Sequence, residues 1–571
     1  MLNEPTIVFA SHLTPNQFLA LNRKHLAGLV LSSTGKTSHT AILARSSGIP
    51  TLADIDFSSL DFDVDQLIII DGEPGILITH PDEKVLRYYR HEIAVQQDMQ
   101  QRLRENALAP ARTRDGHRVE VAANIASLAE AQAAFENGAE SIGLFRTEIT
   151  YMGRDYPPSC AELTNLYKQV VTLAGGKPVI FRTFDIGGDK PVGYLSVDNE
   201  ENPFLGFRAV RTYPQYRDLF STQLKAILSA STSGKAKIML PMISRVEELI
   251  WCREVLESVK QEMRHEGLAF DEQTALGIML EVPSVLFSMA EMAEHADFFS
   301  VGSNDLTQYF FAADRGNAQV KTLYDSCTPP FLRALQFAVK EAHRAGKPVG
   351  LCGELAADET ILPLLIGIGF DELSMNYTAI PGIKHALGQL SAGDCRSLTQ
   401  NLLQNHNAQQ FKAALQNSSV SAAQKPLLSP EMVLWGIDAA DKNEAIKMMV
   451  DNLWLQQRTN TRDRLCSDIW AREVPFPTVV GSGFAIPHAQ TDAVRDSSVS
   501  IATLRQPIAW GGVMVDTLFM LTISKSAQDN EHMKYFSSLA RMLMNDEFVS
   551  QIKAAKSPEA LYTLISRTLV F

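Results

Sequence analysis

Eight short apolar runs recur between residues 110 and 400, and segments with a helical pattern fill most of the gaps between them. The runs begin near residues 118, 141, 178, 237, 276, 298, 348 and 371. Three helical segments end in a glycine where a helix C-cap would lie, as in SLAEAQAAFENG. Eight strands that alternate with helices are typical of a (β/α)8 barrel. The sequence therefore predicts an α/β TIM barrel over residues 110–403.

Polar residues follow the apolar runs of this predicted barrel. They are Asn124, Arg146, Arg182, Glu281, Asn304, Asp305, Cys352 and Glu354. Because the active sites of TIM barrels lie at the C-terminal ends of the strands, we expect these side chains to surround one site. Residues that merely end strands would be a mixed set of turn formers. Arginines, acids and a cysteine behind hydrophobic strands favour a functional site instead.

The residue types at these positions indicate an anion site with a metal. Three arginines can clamp phosphate or carboxylate oxygens, since guanidinium binds both in a bidentate manner. They are Arg146, Arg182 and Arg315. Glu281 and Asp305 end neighbouring strands and can converge on one Mg2+, with Asn304 as a neutral donor beside them. An ion-pair network is the alternative, although it would leave Cys352 unexplained.

Residues 1–82 predict a small α/β domain, with short apolar runs, turns and one clear helix signal, TSHTAILARSSGIP. His39 lies in the first turn of that helix, which Thr37 or Ser38 would cap. A helix N-terminus favours an anion, so a phosphoryl group on this imidazole would be stabilised. A single histidine is more often structural than catalytic, and spacing alone leaves both interpretations open.

Three further segments complete the predicted organisation. Residues 83–109 contain neither Gly nor Pro and predict a long connecting helix. Residues 404–428 are rich in Gln, Asn, Ala and Ser and predict a linker. Helices and strands then alternate over residues 429–571, which predicts a compact α/β domain.

The C-terminal domain contains a histidine in a loop-like context, GSGFAIPHAQ. Gly481 and Gly483 allow a tight backbone approach, and Pro487 stiffens the turn that presents His488. His532 follows 44 residues later. The sequence alone does not bring the two histidines together, so it marks His488 only as a candidate.

Composition excludes several classes of protein. With 52 Lys+Arg against 65 Asp+Glu, the net charge of −13 offers no basic surface for a nucleic-acid backbone. The six cysteines show no C-x-x-C pair and no zinc-like spacing, which predicts reduced thiols in a cytoplasmic protein. The N-terminus does not resemble a signal peptide, and no apolar run is long enough for a membrane span.

Seven motifs, in order, closely resemble enzyme I of the bacterial phosphoenolpyruvate:sugar phosphotransferase system. They are TGKTSHTAILARSSGIP, GLFRTEITYM, FRTFDIGGDKP, ENPFLGFRAVR, GIMLEVPSV, DFFSVGSNDLTQYFFAADRGN and LCGELAADE. The C-terminal region resembles the fructose/mannitol-type enzyme IIA (EIIA) domain of the same system. Together these resemblances cover almost the whole chain, as in the fused multiphosphoryl transfer proteins.

The resemblance implies a phosphoenolpyruvate-protein phosphotransferase with a swivelling phosphohistidine domain, a Mg2+-dependent barrel and an EIIA domain. His39 and His488 would carry the phosphoryl group, His532 would lie beside His488, and Cys352 would protonate the enolate. The implied substrate contacts and metal ligands are Arg146, Arg182, Asn304 and Arg315, with Glu281 and Asp305 for Mg2+. The implied partners are phosphoenolpyruvate and pyruvate, the carrier protein HPr, the IIB and IIC components of a sugar permease, and a second copy bound through the barrel.

One departure from the resemblance and two alternatives remain. Enzyme I has a further segment before the point that corresponds to Met1, including the subdomain that docks HPr, so the phosphohistidine domain is expected to be shortened.

A non-catalytic regulator, whose EIIA domain alone accepts phosphate from HPr, is one alternative. A relative of pyruvate phosphate dikinase or phosphoenolpyruvate synthase is the other, although no nucleotide-binding domain is visible and the EIIA-like region argues against it.

Overall fold

The structure is a computed structural model. It describes residues 4–11, 13, 17–18, 21, 25–32, 44, 48–56, 60, 66–72, 74–188, 190, 192–195, 200–317, 319–320, 322–404, 407–417, 426–459, 461–525 and 531–568. The chain divides into two compact units. The first comprises Met1–Tyr89 and Gln100–Ala422, and the second comprises Arg90–Met99 and Ala423–Phe571.

Short strands form the N-terminal part of the first unit. They are β1 (Thr6–Ala10), β2 (Leu26–Leu31), β3 (Thr51–Leu52), β4 (Ile69–Asp71) and β5 (Ile76–Ile78). The first three form a parallel sheet in the order β1-β2-β3, and β4 pairs antiparallel with β5. A small core that includes Phe18, Leu29 and Leu31 packs against the three-stranded sheet. His39 lies outside the described residues.

A single helix, α1 (Glu83–Ala107), spans the segment predicted to be helical. Its N-cap, Asp82, accepts a hydrogen bond from the amide of Val85 at 2.8 Å. At its other end, the buried Nζ of Lys384 donates to the carbonyls of Ala107 and Ala109 at 2.8 and 2.9 Å. These bonds satisfy carbonyls that a helix C-terminus leaves without intrahelical partners.

We expect Lys384→Met to destabilise the first unit by about 1–3 kcal/mol, because it removes the donor to the buried carbonyl of Ala107 and to that of Ala109. It also removes the partner of Glu140, whose Oε1 lies 3.1 Å from Nζ. Differential scanning calorimetry should show a lower Tm for the barrel transition. Lys340→Met, at an exposed position, is the control. An unchanged Tm for Lys384→Met would contradict the anchoring role.

The parallel barrel predicted from the eight apolar runs is confirmed. Its eight strands, all within the described part of the chain, are β6 (Glu120–Ile125), β7 (Ile142–Arg146), β8 (Val179–Arg182), β9 (Ala236–Leu240), β10 (Leu276–Leu280), β11 (Phe299–Gly302), β12 (Val349–Cys352) and β13 (Glu372–Asn376). Each strand pairs with the next, and β13 closes on β6. A barrel strand is covered on both faces, which explains why these runs are nearly continuous in apolar residues.

Helices follow most of the barrel strands. They are α2 (Leu128–Glu136), α3 (Cys160–Leu173), α4 (Arg217–Ala230), α5 (Val246–His265), α6 (Met289–His295), α7 (Ser303–Phe311), α8 (Pro329–Arg344), α9 (Leu362–Ile368), α10 (Ile380–Gln389), α11 (Ala392–Leu402) and α12 (Ala408–Asn417). The glycines predicted to end three of them have positive φ: 89° at Gly138, 68° at Gly267 and 69° at Gly346. Each lies just beyond its helix, where a left-handed residue ends the helical path.

Residues 404–428, which are predicted to be a linker, contain a helix in their first half. Helix α12 occupies Ala408–Asn417, and its Phe411 is fully buried. Gln and Ala are good helix formers, and Phe411 packs in the barrel core with Ala414 and Leu415 beside it. Short 3-10 helices also occur at Thr147–Thr150, Pro203–Leu205, Ala209–Thr212, Ser231–Ser233, Pro283–Phe287, Glu354–Ala357, Tyr377–Ala379 and, in the second unit, Pro430–Met432.

The second unit contains a mixed sheet. Its strands are β14 (Val433–Ile437), β15 (Val479–Gly481), β16 (Phe484–Ala485), β17 (His488–Thr491), β18 (Ser498–Trp510) and β19 (Val513–Ser524). The sheet order is β14-β18-β19-β16-β15, and β17 also pairs with β19. The helices are α13 (Lys442–Leu455), α14 (Arg462–Glu473), α15 (Glu531–Leu543), α16 (Asp546–Ala554) and α17 (Pro558–Thr568).

The fold bears on the position of His488 and on the question of a membrane-spanning helix. The sequence predicted that His488 lies on a loop, but it is the first residue of β17, whose pairing with β19 fixes its backbone. Within the described ranges, no helix combines the length and the apolar character that a bilayer crossing requires.

Candidate functional site

The C-terminal mouth of the barrel brings together most of the residues singled out in the sequence. Arg146 and Arg182 are the last residues of β7 and β8 and are register partners. Cys352 ends β12, and Glu281 directly follows β10. Asp305 lies in the first turn of α7, just after β11. The parallel strands therefore deliver these side chains to one end of the barrel.

Arg182 is held by acids but keeps an unused donor. The residue is only 6% exposed. Its Nη2 donates to Glu148 Oε1 at 2.5 Å and lies 3.4 Å from Asp185 Oδ2. Burial would lower the pKa of Arg182, but the charges of Glu148 and Asp185 raise it. The buried Nε has no hydrogen-bond partner among the described residues.

A second cluster surrounds Asp185, whose carboxylate is fully buried. Arg208 binds it with Nε at 3.1 Å and Nη2 at 2.7 Å, and Lys190 Nζ lies 2.8 Å away. Burial would raise the pKa of Asp185, but Lys190, Arg208 and Arg182 hold it well below its ordinary value. The carboxylate is therefore ionised and fixes the orientation of Arg208.

The sequence analysis did not single out four residues of this mouth. They are Glu148, Asp185, Lys190 and Arg208. All four lie inside the quoted motifs GLFRTEITYM, FRTFDIGGDKP and ENPFLGFRAVR. The signal that could have found Glu148, Asp185 and Lys190 is the concentration of charged residues just after two apolar strands.

The two predicted metal ligands, Glu281 and Asp305, repel each other electrostatically. Burial, and then the charge of Asp305, raise the pKa of Glu281 to about 8, although Arg182 opposes the shift. Glu281 Oε1 accepts a hydrogen bond from the amide of Met242 at 2.6 Å. Asp305 Oδ1 is buried and lies 3.2 Å from Arg315 Nη1 without hydrogen-bond geometry. A divalent cation would relieve the repulsion between the two carboxylates.

The donor set fits Mg2+ better than a metal that needs a full protein cage. Among the described residues, no three His, Cys, Asp or Glu side chains converge as a metal-binding group. Mg2+ is usually held by one or two carboxylates together with water and substrate oxygens. Glu281 and Asp305 match that requirement.

The remaining predicted residues also lie at the mouth. Asn304 Oδ1 accepts from the amide of Glu354 at 3.5 Å. The guanidinium of Arg315 lies over the ring of Phe204, 5.4 Å from its centroid. Cys352 is buried, and its Sγ donates to the carbonyl of Val301 at 3.4 Å. Burial raises the pKa of this thiol to about 11, so it is protonated at neutral pH.

Cationic side chains are concentrated at this mouth, although the chain as a whole is acidic. Five cations and five acids lie there among the described residues: Arg146, Arg182, Lys190, Arg208 and Arg315 with Glu148, Asp185, Glu281, Asp305 and Glu354. The ion-pair network considered as an alternative is present, but it leaves the buried Nε of Arg182 without a partner among those residues. An unused donor on a buried cation suits an anionic ligand.

The second site surrounds His488, which is 6% exposed. Arg472 Nε lies 3.1 Å from His488 Nε2, and His488 Nδ1 lies 2.9 Å from the carbonyl oxygen of Ile486. Arginine can only donate, so Nε2 must be the acceptor. The proton is therefore on Nδ1, and the lone pair of Nε2 faces Arg472.

A cavity of about 390 Å3 opens beside this histidine. Arg464, Arg472 and Lys525 line it, together with Asp468 and Thr491. Three cations near the Nε2 lone pair provide charge for a phosphoryl group on that nitrogen. The ring of Phe536 packs on His488 at 4.9 Å. His532 lies one turn before Phe536 on α15, and its side chain is outside the described part.

Three family models match consecutive segments of the chain. They are the PEP-utilising enzyme mobile domain over residues 2–75, the PEP-utilising enzyme PEP-binding domain over 100–392, and the phosphoenolpyruvate-dependent sugar phosphotransferase system EIIA 2 over 426–568. The chain is 47% identical to multiphosphoryl transfer protein 2 of Escherichia coli (strain K12) over 568 residues, which cover 100% of this chain and 68% of that protein.

The chain belongs to the multiphosphoryl transfer protein family. Multiphosphoryl transfer protein 1 of the same strain is 43% identical over 573 residues, covering 100% of this chain and 69% of that protein. Phosphoenolpyruvate-protein phosphotransferase of Priestia megaterium is 40% identical over 394 residues, covering 69% of each chain. The crystal structure of IIA mannitol from Escherichia coli covers 24% of this chain and 98% of its own, with 22% identity and a TM-score of 0.21.

Both candidate sites of this chain fall inside the matched segments. The barrel mouth lies within residues 100–392, the segment matched to the PEP-binding domain. His488 and Arg472 lie within residues 426–568, the segment matched to EIIA 2. The arginine was missed in the sequence because 16 residues separate it from His488, and no local pattern joins the end of α14 to β17.

Proposed function

We propose that the barrel transfers the phosphoryl group of phosphoenolpyruvate to His39, and that the EIIA domain carries phosphate on His488 towards an enzyme IIB. The observation that carries this proposal is Arg182, a buried arginine whose Nε has no partner among the described residues, in a mouth that gathers five cationic side chains. Phosphoenolpyruvate presents a phosphate and a carboxylate close together, and such a cluster of arginines can bind both.

In the first half-reaction, the P–O bond of phosphoenolpyruvate breaks and a P–N bond forms on His39. Most of the work of phosphoryl transfer is positioning and charge neutralisation. Arg146, Arg182 and Arg315 would hold the anionic oxygens, with Asn304 as a neutral donor. Mg2+ held by Glu281 and Asp305 would supply further neutralisation of the phosphate. The leaving group is the enolate of pyruvate, which then takes a proton.

Cys352 is proposed as the source of that proton. We expect Cys352→Ala to slow the formation of pyruvate by about a hundredfold or more, since a positioned acid contributes on that scale. The raised pKa of about 11 keeps the thiol protonated, so at saturating Mg2+ the wild-type rate should not fall between pH 7 and 9. An ordinary cysteine, with a pKa near 8.5, would lose its proton over that range.

The measurement for Cys352 is quenched-flow detection of pyruvate between pH 7 and 9. Cys395→Ala is a matched control, because that buried thiol also has a pKa raised to about 11 by burial and lies on α11 rather than at the mouth. A pyruvate rate that falls as pH rises from 7 to 9, or a normal rate in Cys352→Ala, would contradict the role.

The experiment that tests the proposed function is incorporation of label from radioactive phosphoenolpyruvate with Mg2+. Label that is acid-labile, absent in His39→Ala and lost when a chelator removes Mg2+ is expected. If the wild-type chain takes no label from phosphoenolpyruvate but accepts it on His488 from phospho-HPr, the chain is the non-catalytic regulator and the proposal fails.

The partners belong to the same proposal. HPr would connect His39 to His488, and enzyme IIB would receive phosphate before the IIC component moves the sugar. We also propose a homodimer through the barrel. Sedimentation at micromolar concentration should show the mass of two chains, and a monomer alone would count against the dimer.

A further inference from the structure

Glu148 occupies an unexpected place for an acid in a site that we propose binds an anion. It lies in the 3-10 helix Thr147–Thr150, directly after β7 and two residues beyond Arg146. The residue is 4% exposed. Burial would raise its pKa, but Arg182 and Lys190 lower it, so the side chain is a carboxylate. A buried negative charge weakens the affinity of a site for anions, so anion binding alone does not explain why Glu148 is there.

The contacts of Glu148 tie it to the arginine with the unused donor. Its Oε1 accepts from Arg182 Nη2 at 2.5 Å and from Lys190 Nζ at 3.2 Å. The neighbouring Thr147 donates through Oγ1 to the backbone carbonyl of Arg182 at 2.7 Å, and Gln223 donates to that hydroxyl at 3.0 Å. The same short helix therefore fixes both the backbone and the guanidinium of Arg182.

The orientation of the guanidinium follows from these bonds. Nη2 faces Glu148 and Asp185, and Nη1 donates to the sulfur of Met279 at 3.6 Å. Only the buried Nε keeps no partner among the described residues. An arginine side chain has several rotamers, and one fixed before the ligand arrives loses less freedom during binding and reaction.

We propose that Glu148 is a positioning residue, which holds Arg182 in its reactive orientation at the expense of anion affinity. This inference rests on the proposed function, because it assigns the anion at Arg182 to phosphoenolpyruvate. It makes a specific prediction about kinetics. Neutralising Glu148 should weaken stabilisation of the transition state without weakening ground-state binding of phosphoenolpyruvate.

The test uses the full-length Glu148→Gln variant with labelled phosphoenolpyruvate and Mg2+ in a quenched-flow instrument. We expect kcat for labelling to fall about tenfold or more, while KM stays within about twofold or decreases. Glu140→Gln is the matched control. Glu140 also pairs with a lysine and an arginine, Lys384 at 3.1 Å and Arg118 at 3.3 Å, but these lie away from the strand ends that form the mouth.

Three kinetic results would overturn the inference. Wild-type kinetics in Glu148→Gln would show that Arg182 needs no positioning. A higher KM with unchanged kcat would show a binding role instead. A smaller amount of labelled protein with unchanged rate constants would show that the substitution only reduces the folded fraction.

Calorimetric titration with phosphoenolpyruvate and Mg2+, in which the wild type and Glu148→Gln each carry His39→Ala so that no phosphoryl group is transferred, separates this inference from the proposed function. The binding entropy should be less favourable in Glu148→Gln than in the wild type, because Arg182 would then be ordered only on binding. Equal entropies would overturn the inference even if the wild type labels normally. If the wild type binds phosphoenolpyruvate without taking label, the proposed function fails and the entropies alone decide the inference. If the wild type does not bind it at all, both fail.

Discussion

Replacing Arg182 with glutamine is expected to lower label incorporation from phosphoenolpyruvate by about a thousandfold or more. Loss of a single preorganised donor from a site that stabilises transition-state charge reduces kcat by about a hundred- to a thousandfold. Arg182 adds a full charge to that donor, and it is buried. Glutamine keeps a polar side chain that can form hydrogen bonds. The variant therefore removes mainly the charge and the length of the arginine side chain.

The control for Arg182→Gln must account for stability. The substitution leaves the buried Glu148 and Asp185 with one cation fewer, and breaking a buried pair can cost about 3–5 kcal/mol. Circular dichroism should therefore show that the variant is folded before its rate is compared. Arg118→Gln, at a side chain that is 56% exposed in its pair with Glu140, should label normally. Labelling by folded Arg182→Gln within tenfold of wild type would contradict the assigned role. The regulator alternative predicts instead that neither chain takes label from phosphoenolpyruvate, and that phospho-HPr labels His488 equally in both.

The barrel could be predicted because its strands leave a strong local signal. A strand with both faces covered is apolar throughout, and the chain repeats that pattern eight times with glycine-ended helices between. The rule that barrel sites lie at the carboxyl ends of the strands then located Arg146, Arg182 and Glu281. Each of these positions is defined by the end of its own strand.

The rest of the barrel mouth depends on contacts that span longer stretches of chain. Arg208 meets Asp185 across 23 residues, and a loop conformation that the sequence pattern does not specify brings them together. Glu148 meets Arg182 across 34 residues through the pairing of β7 with β8. Periodicity describes an element and its faces, so it could not show which charges would neutralise one another.

The EIIA site shows the same limit. The Gly and Pro residues before His488 predict a loop, but His488 begins β17, a strand of only four residues. Its pairing with β19 is a tertiary contact and leaves no period-two pattern in so short a segment. The proton position on His488 was equally inaccessible, since it follows from Arg472 and the carbonyl of Ile486.

The His488→Gln substitution should abolish phosphate transfer to the EIIA domain. Glutamine has no ring nitrogen that can form a P–N bond, so label supplied from phospho-HPr should fall below detection on residues 429–571. Label on His39 from phosphoenolpyruvate should remain, because the chemistry of that half-reaction does not use His488. His343→Gln, at an exposed histidine on α8, is the control and should label as wild type does.

The geometry also predicts which nitrogen of His488 carries the phosphate. Nδ1 keeps its proton for the carbonyl of Ile486, so the nucleophile is Nε2, the atom that faces Arg472. Nitrogen NMR of the phosphorylated chain should show the phosphate on Nε2, with Nδ1 still protonated. Arg472 would then pair with the phosphoryl oxygens in place of the ring nitrogen. Phosphate found on Nδ1 would mean that the bond to Ile486 breaks before transfer, and the proton assignment that this site depends on would be wrong.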